Sequence, residues 1–449
     1  MNNTLRQFAV LCMCLAALAA LVGCGLGTST SQAIAPAGPV AVALKGLAHG
    51  GQMPISGASV QLYAVGTTGY GSAATSLNAL NGSGQPVTTD SNGNFYVGSF
   101  TCSSPCTSNS MVYIVLAGGN PGLTAGTNNT SAVLLSALGT ESNVHSISFV
   151  WVNEVTTAAT AYALAPFYGT DALHIGTSSS NITGIANAFT TAQNLVNITN
   201  GQAGGPNLPA GATVSQDSLY AISDILANCV NSAGGVSGDS SSCGNLFAQT
   251  GGSATTDITM AAAYMAQHPT SNVSALFSQI TATPVFATSI ASAPNDWTLT
   301  INYAAGSNLN NPGNPAVDAS GNIWVPSIGN SAVTELNPVG AVAANLTLAS
   351  PPNALAVDTS GYVWVAAGTN SGNSKLFKLT SSDTLASTYS GNGLNNPTGI
   401  SIDNAGDLWL SNAATSQLSA FTSSGAALSG SPFSGGGLSA PVSIVSASH

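Results

Sequence analysis

"DASGNIWV", Asp318 to Val325, returns as "DTSGYVWV", Asp358 to Val365, and as "DNAGDLWL", Asp403 to Leu410. An Asp, a Gly three residues on and a Trp six residues on thus recur at intervals of 40 and 45 residues. These residue types suit a turn followed by a buried wedge. Asp318, Asp358 and Asp403 can accept hydrogen bonds from the backbone of a tight turn, and Gly321, Gly361 and Gly406 tolerate the positive φ it requires. Trp324, Trp364 and Trp409 are large apolar bodies suited to packing between neighbouring units. A calcium loop would want an acidic or amide residue at its third position and a distal Glu. Ser320, Ser360 and Ala405 stand at that position instead, and no metal is expected.

The repeat is longer than the octet. Pro312, Pro352 and Pro397 each lie six residues before the Asp. Each unit therefore reads as Pro, a short strand ending at Asp, a Gly turn, a strand through Trp, a loop and a third alternating strand. Several strands within a period of 40 to 45 residues mark a β-propeller. The segment 291–449 holds units near 309–348, 349–390 and 394–435 and a partial unit, 436–449, in which Leu438 and Pro441 match Leu394 and Pro397. That is about three and a half blades, where closed rings typically have 4–8. The expectation is an open arc, from a truncated longer protein or one that a second chain completes, unless "WTLTINY", Trp297 to Tyr303, returns to supply an outer strand.

The repeats resemble NHL-type propellers and, among them, streptogramin (virginiamycin B) lyases. That resemblance implies a catalytic His and acidic metal-binding residues on the propeller. In residues 297–449 the only His is His449 and the only Glu is Glu335. Elimination needs a positioned base, so no catalytic residue and no cofactor are assigned, and a lyase-like enzyme is the alternative reading.

Only 4% of the 449 residues are charged, and the formal net charge is −11. Arg6 is the single Arg, and Lys45, Lys375 and Lys378 are the only Lys. A nucleic-acid backbone needs clustered cations, so nucleic-acid binding is excluded. The polar surface must come from Ser, Thr, Asn, Gln and Gly. No GxSxG elbow, phosphate loop or HExxH occurs. Asp171 and His174 read as a surface pair, His268 as a helix C-terminal cap, and His49 and His145 as isolated.

At the N-terminus Arg6 precedes an apolar run from Phe8 to Val22. Its 15 residues fall short of the roughly 20 that a membrane span needs, and the layout is that of a secretory signal. Leu21-Val22-Gly23-Cys24 resembles the lipobox of bacterial lipoproteins, which implies cleavage before Cys24 and acylation there. Residues 1–23 are then a signal peptide and 24–39 a tether. With Gly25 rather than Asp next, the expected address is the outer membrane, anchored through Cys24. Of the remaining cysteines Cys12 and Cys14 leave with the signal. Cys102, Cys106, Cys229 and Cys243 form two disulfides in an oxidising compartment. Three pairings exist; the local one, Cys102–Cys106 and Cys229–Cys243, is favoured because each pair brackets a short turn-rich segment. Zinc would fit the spacings C-x3-C and C-x13-C poorly.

Residues 40–125 alternate as strands, with Val60, Leu62 and Ala64 on one face of "ASVQLYAV" and further strands in "NFYVGSF" and "MVYIVLA". Gly46, Pro54, Ile55, Gly57, Ala58, Val60, Leu62, Tyr63, Thr89, Asp90, Gly93 and Phe95 resemble the carboxypeptidase regulatory-like β-sandwich, a transthyretin-like, non-catalytic module. Residues 126–290 read as short helices. In "NITGIANAFTTAQNLVNI" one face holds Ile182, Ile185, Ala186, Phe189, Ala192 and Val196; in "SLYAISDILANCV" it holds Leu219, Ile222, Leu226 and Cys229. The fold class is multidomain and mainly β with a helical middle: β-sandwich, short-helix domain and incomplete β-propeller. The function expected is a non-catalytic cell-envelope binding or adhesion scaffold, whose partner is a neutral polar ligand such as a glycan, or a protein.

Overall fold

A computed structural model describes residues 40–281, 284–286, 289–303 and 306–446. The signal peptide, the tether, Cys24 and His449 lie outside the described residues. The structure is mainly β, built of several antiparallel sheets.

Two sheets face each other in the first half. One holds β1 (Val40–Gly50), the short Met53–Pro54 strand, and β3 (Asn94–Phe100), which is antiparallel to β1. The other pairs β2 (Ser59–Ala64) with β4 (Met111–Ala117), and β4 with β5 (Val133–Thr140). β6 (Phe149–Val152) then returns to lie parallel to β1. Val60, Leu62 and Ala64 point into the core as their alternation requires. β4 is an almost continuous apolar run because both its faces are covered, one by the facing sheet and one by helix. Gly46 lies against the Phe95 ring, where any side chain would collide. Thr89 accepts a hydrogen bond from the Ala58 N–H at 2.9 Å.

Strand pairing in these sheets runs on to Val152, past residue 125. The helices that follow have no separate core. α1 (Glu154–Ala163) is buried along Glu154–Ala161, sandwiched between β5, α2 (Ile182–Leu195), α3 (Gln216–Val230) and α5 (Ile258–Gln267). One hydrophobic cluster joins strand residues such as Leu44 and Ile114 to helix residues such as Leu226 and Met265. Side chains cap two of these helices. The Asn153 side chain accepts from the Thr156 N–H, and Asp257 accepts from the Thr259 and Met260 N–H groups. α3 buries Leu219, Ile222, Leu226 and Cys229 as read from the sequence. α2 buries Ile185, Phe189 and Ala192 but exposes Ile182, its first residue.

"WTLTINY" belongs to this first body. Trp297 is fully buried in its core, and Ile301–Asn302 pairs with Thr213–Val214. It therefore supplies no outer strand to the repeat sheets, the first strand of which is Ala316–Val317.

Each repeat unit folds as four antiparallel strands in sequential order. They are Ala316–Val317, Ile323–Ser327, Ala332–Leu336 and Val342–Thr347, then Pro352–Val357, Val363–Ala367, Lys375–Leu379 and Leu385–Tyr389, then Pro397–Ile402, Leu408–Asn412, Gln417–Phe421 and Phe433–Ser434. The sheets stack face to face. One cluster sets Trp324 and Val333 against Val363, Val365 and Phe377; the next sets Trp364 and Leu376 against Leu408 and Leu410.

Candidate functional site

The residues of the repeat come together within each unit. In the first, an Asp318 carboxylate oxygen accepts from the Ser320 and Asn322 N–H groups at 2.8 and 2.9 Å. Its other oxygen accepts from the Trp324 indole N–H at 3.2 Å. Asp358 holds Ser360, Tyr362 and the Trp364 indole, each at 2.9 Å. Asp403 holds Ala405 at 2.9, Asp407 at 3.0 and the Trp409 indole at 2.8 Å. The Trp409 hydrogen bond, followed by those of the turn, keeps the Asp403 carboxyl below the usual range. Gly321, Gly361 and Gly406 have φ of +83°, +83° and +82°, the left-handed region that a side chain disfavours. The indole link was missed in the sequence; its signal was the constant six-residue step from Asp to Trp. All three carboxylates are occupied by their own units.

The Trp residues differ in surroundings. Trp324 and Trp364 are buried beneath the next sheet, whereas Trp409 is only partly covered and stacks on Phe433 at 5.6 Å. The chain beyond the third sheet repeats the start of a unit. The Ala440 N–H donates to Ser416 Oγ as the Asn396 N–H does to Ser374 Oγ, at 3.1 and 3.0 Å. Thr398 Oγ1 donates to the Pro441 carbonyl as Asn353 Nδ2 does to the Pro397 carbonyl, at 2.8 and 2.9 Å. Among the described residues the three sheets stay separate and form no closed barrel.

Charge is distributed unevenly over the stack. The Asp turns, with Asp383 and Lys378, occupy the end where the first and second strands of each sheet meet. There Lys378 lies over the Tyr362 and Trp364 rings, 3.9 and 4.6 Å from their centroids. Glu335, directly opposite Trp324 on the neighbouring strand, is almost buried. Desolvation, then the hydrogen bond and charge of Asp383, then Asp318, push its carboxyl up to about 7. The opposite end is made of residues 306–313, 327–331, 367–374, 390–397 and 411–417, which are Asn-, Ser-, Thr- and Gly-rich and carry no charged side chain; Lys375 stands beside them.

Cys102 is bonded to Cys106, and Cys229 to Cys243, the latter tying α3 to α4 (Ser242–Gln249). His174 and Asp171 form an exposed pair at 2.8 Å, and His145 meets Glu141 at 3.1 Å. His268 ends α5 and stacks on Tyr264. Sequence reading passed over Glu154 and Asp224. Both oxygens of the fully buried Glu154 face the Gly51 N–H, at 2.9 and 3.0 Å. Burial pushes this carboxyl up to about 8 against the pull of that N–H, with Asp224 adding to the rise. Burial likewise raises Asp224 to about 6, although it accepts from the Phe286 N–H at 2.9 Å. Among the described residues no group of three or more His, Cys, Asp or Glu is placed to hold a metal ion, and no helix is long and apolar enough to cross a membrane.

No family model matches the chain, and no curated protein matches it. Among solved structures, a streptogramin B lyase is 19% identical, with 30% of this chain and 44% of that chain covered and a TM-score of 0.26. A virginiamycin B lyase from Staphylococcus aureus is 17% identical over 33% of this chain and 49% of its own, with a TM-score of 0.29. A protein of unknown function from Bacteroides caccae is 17% identical over 30% and 54%, with a TM-score of 0.25. The chain spans about half the length of these structures.

Proposed function

We propose that this protein is a non-catalytic cell-envelope lipoprotein, acylated at Cys24, whose three repeat sheets are blades of a β-propeller joined to a β-sandwich and helical body. The blades act as a scaffold for a neutral polar ligand such as a glycan. The observation that carries this reading is the division of charge along the stack. The carboxylates of Asp318, Asp358 and Asp403 are spent on their own turns and indoles, while the opposite end offers amides and hydroxyls without charge. Uncharged donors and acceptors recognise hydroxyl-bearing ligands without the desolvation cost of an ion.

A glycan array probed with the purified protein tests the binding role. Specific signals that fall when the polar side chains of 367–374 are replaced by Ala are expected; a blank array together with turnover of a streptogramin in the presence of Mg²⁺ would favour the lyase alternative. The anchor is tested separately. Cys24→Ala should release the protein from membranes and abolish labelling by a palmitate analogue, and unchanged labelling would overturn that part.

A further inference from the structure

The first body contains a cleft that the reading of the repeat ends does not use. It measures about 490 Å³ and opens where β1, β6, the loop at 200–202, α3 and the segment 284–286 converge. Four rings face it. His49 and Trp151, on the paired strands β1 and β6, meet edge to face with centroids 5.0 Å apart. Tyr220, on α3, stacks on Phe286 at 6.0 Å and 20°. All four are partly exposed, whereas Trp297 and Phe247 in the core beneath are fully buried. The amides of Gln52 and Gln202 stand exposed at the rim.

The walls are fixed by hydrogen bonds made behind the lining. Asn153 caps α1 and donates from Nδ2 to the Gly201 carbonyl at 3.1 Å, which sets the loop carrying Gln202. Gly201 has φ +67°, and a Cβ there would press on Asn153 and on the Trp151 Cβ. Glu154 holds the Gly51 N–H, and Asp224 holds the Phe286 N–H, so each buried carboxyl grips a wall segment by its backbone. Neither lines the cleft, and His49, the one titratable ring besides Tyr220, has its pKa lowered by burial.

We propose that this cleft binds a neutral, polyhydroxylated ring, a pyranose of an oligosaccharide. The C–H face of such a ring is apolar and packs on an aromatic side chain, while its hydroxyls need donors and acceptors in fixed positions at the edge. Trp151 and Tyr220 supply the flat apolar faces, and Gln52 and Gln202 supply paired donor and acceptor at the rim. With no charged side chain lining it, the cleft gives an anion or a cation no counter-charge. The volume suits a small ligand rather than a macromolecular surface. This site is separate from the uncharged loops of the repeats, and each can fail without the other.

The test uses the full protein, titrated with the trisaccharides of glucose and of N-acetylglucosamine, by calorimetry and tryptophan fluorescence. One of the two is expected to bind and to change the emission. Trp151→Ala should weaken binding at least tenfold with the thermal melt unchanged. Trp151→Phe keeps a ring, so it should retain binding while losing most of the fluorescence response. Gln202→Ala, at the exposed rim, should weaken binding several-fold without touching the fold. Replacement of the polar residues of 367–374 should leave this binding intact. Failure of both sugars to bind, or binding undiminished in Trp151→Ala and Gln202→Ala, would overturn the proposal.

Discussion

Replacing Glu154 by Gln should remove a pH dependence from the stability of the whole first body. Glu154 begins α1 in full burial, and its carboxyl titrates at about 8 rather than 4.5 because the charged form is poorly solvated there. The unfolded chain therefore gives up this proton several pH units before the folded chain does. Stability is fully present below the unfolded value and is lost as pH rises towards the folded one, at about 1.4 kcal/mol per pH unit, or roughly 5 kcal/mol over the whole interval. Asp224 acts in the same direction with its midpoint lower, at about 6, and Glu335, at about 7, acts in the repeats rather than in the first body. The window from pH 7 to pH 8 then belongs to Glu154. Urea unfolding followed by tryptophan emission should show wild-type stability falling by about 1 kcal/mol across that window. Glu154→Gln keeps an oxygen for the Gly51 N–H and cannot ionise, so its stability should be flat there and exceed the wild type by a few kcal/mol at pH 9. A wild-type profile that is level or rising between pH 7 and pH 8, or a variant with the same slope, would refute the reasoning.

Three further outcomes follow from the packing. Asp358→Asn places an amide where the buried Trp364 N–H needs an acceptor and should cost about 1–3 kcal/mol; Asp403→Asn should cost less, because Trp409 is partly exposed, and equal costs in urea unfolding would contradict the role given to burial. Asp383 adopts φ +59° at the turn position that is Gly340 and Gly425 in the neighbouring sheets, so Asp383→Gly should stabilise by about 1 kcal/mol and bring the Glu335 titration, followed by carboxyl NMR, down from about 7. Opening Cys229–Cys243 by double substitution to Ala should cost about 3 kcal/mol, and opening Cys102–Cys106 distinctly less, since the separations are 14 and 4 residues.

The repeat was legible because its determinants are local. The Asp, the Gly and the Trp of one unit meet within seven residues, so the turn and wedge could be read from residue type and spacing. The helices were legible for the same reason, through the periodicity of their apolar faces. What escaped was everything assembled across the chain. The parallel pairing of β6 with β1 joins residues about a hundred positions apart, and no local pattern announces it. The burial of Trp297 in the first body ran against its place beside the repeats. Glu154 and Asp224 look like ordinary surface acids until the elements that cover them are in place. The cleft draws on five separated segments, each unremarkable alone.

The sheet stack is supported unequally at its two ends. Gly321 of the first sheet lies against Asn187 of α2, and Gly340 against Tyr303, so that sheet leans on the first body. The third sheet carries on its far side the narrow strip 441–446, in which Val442 and Val445 remain 72% and 88% exposed. Sheets that touch only their neighbours behave as a chain of coupled units, whose stability is a sum of unit and interface contributions. Opening such a chain costs least where the covering layer is narrowest, which among the described residues is the strip on the third sheet. Amide hydrogens should therefore exchange in a gradient along the stack, fastest in Leu408–Asn412 and slowest in Ile323–Ser327. The unfolding of the repeats thus acquires a direction, peeling from the third sheet back towards the first.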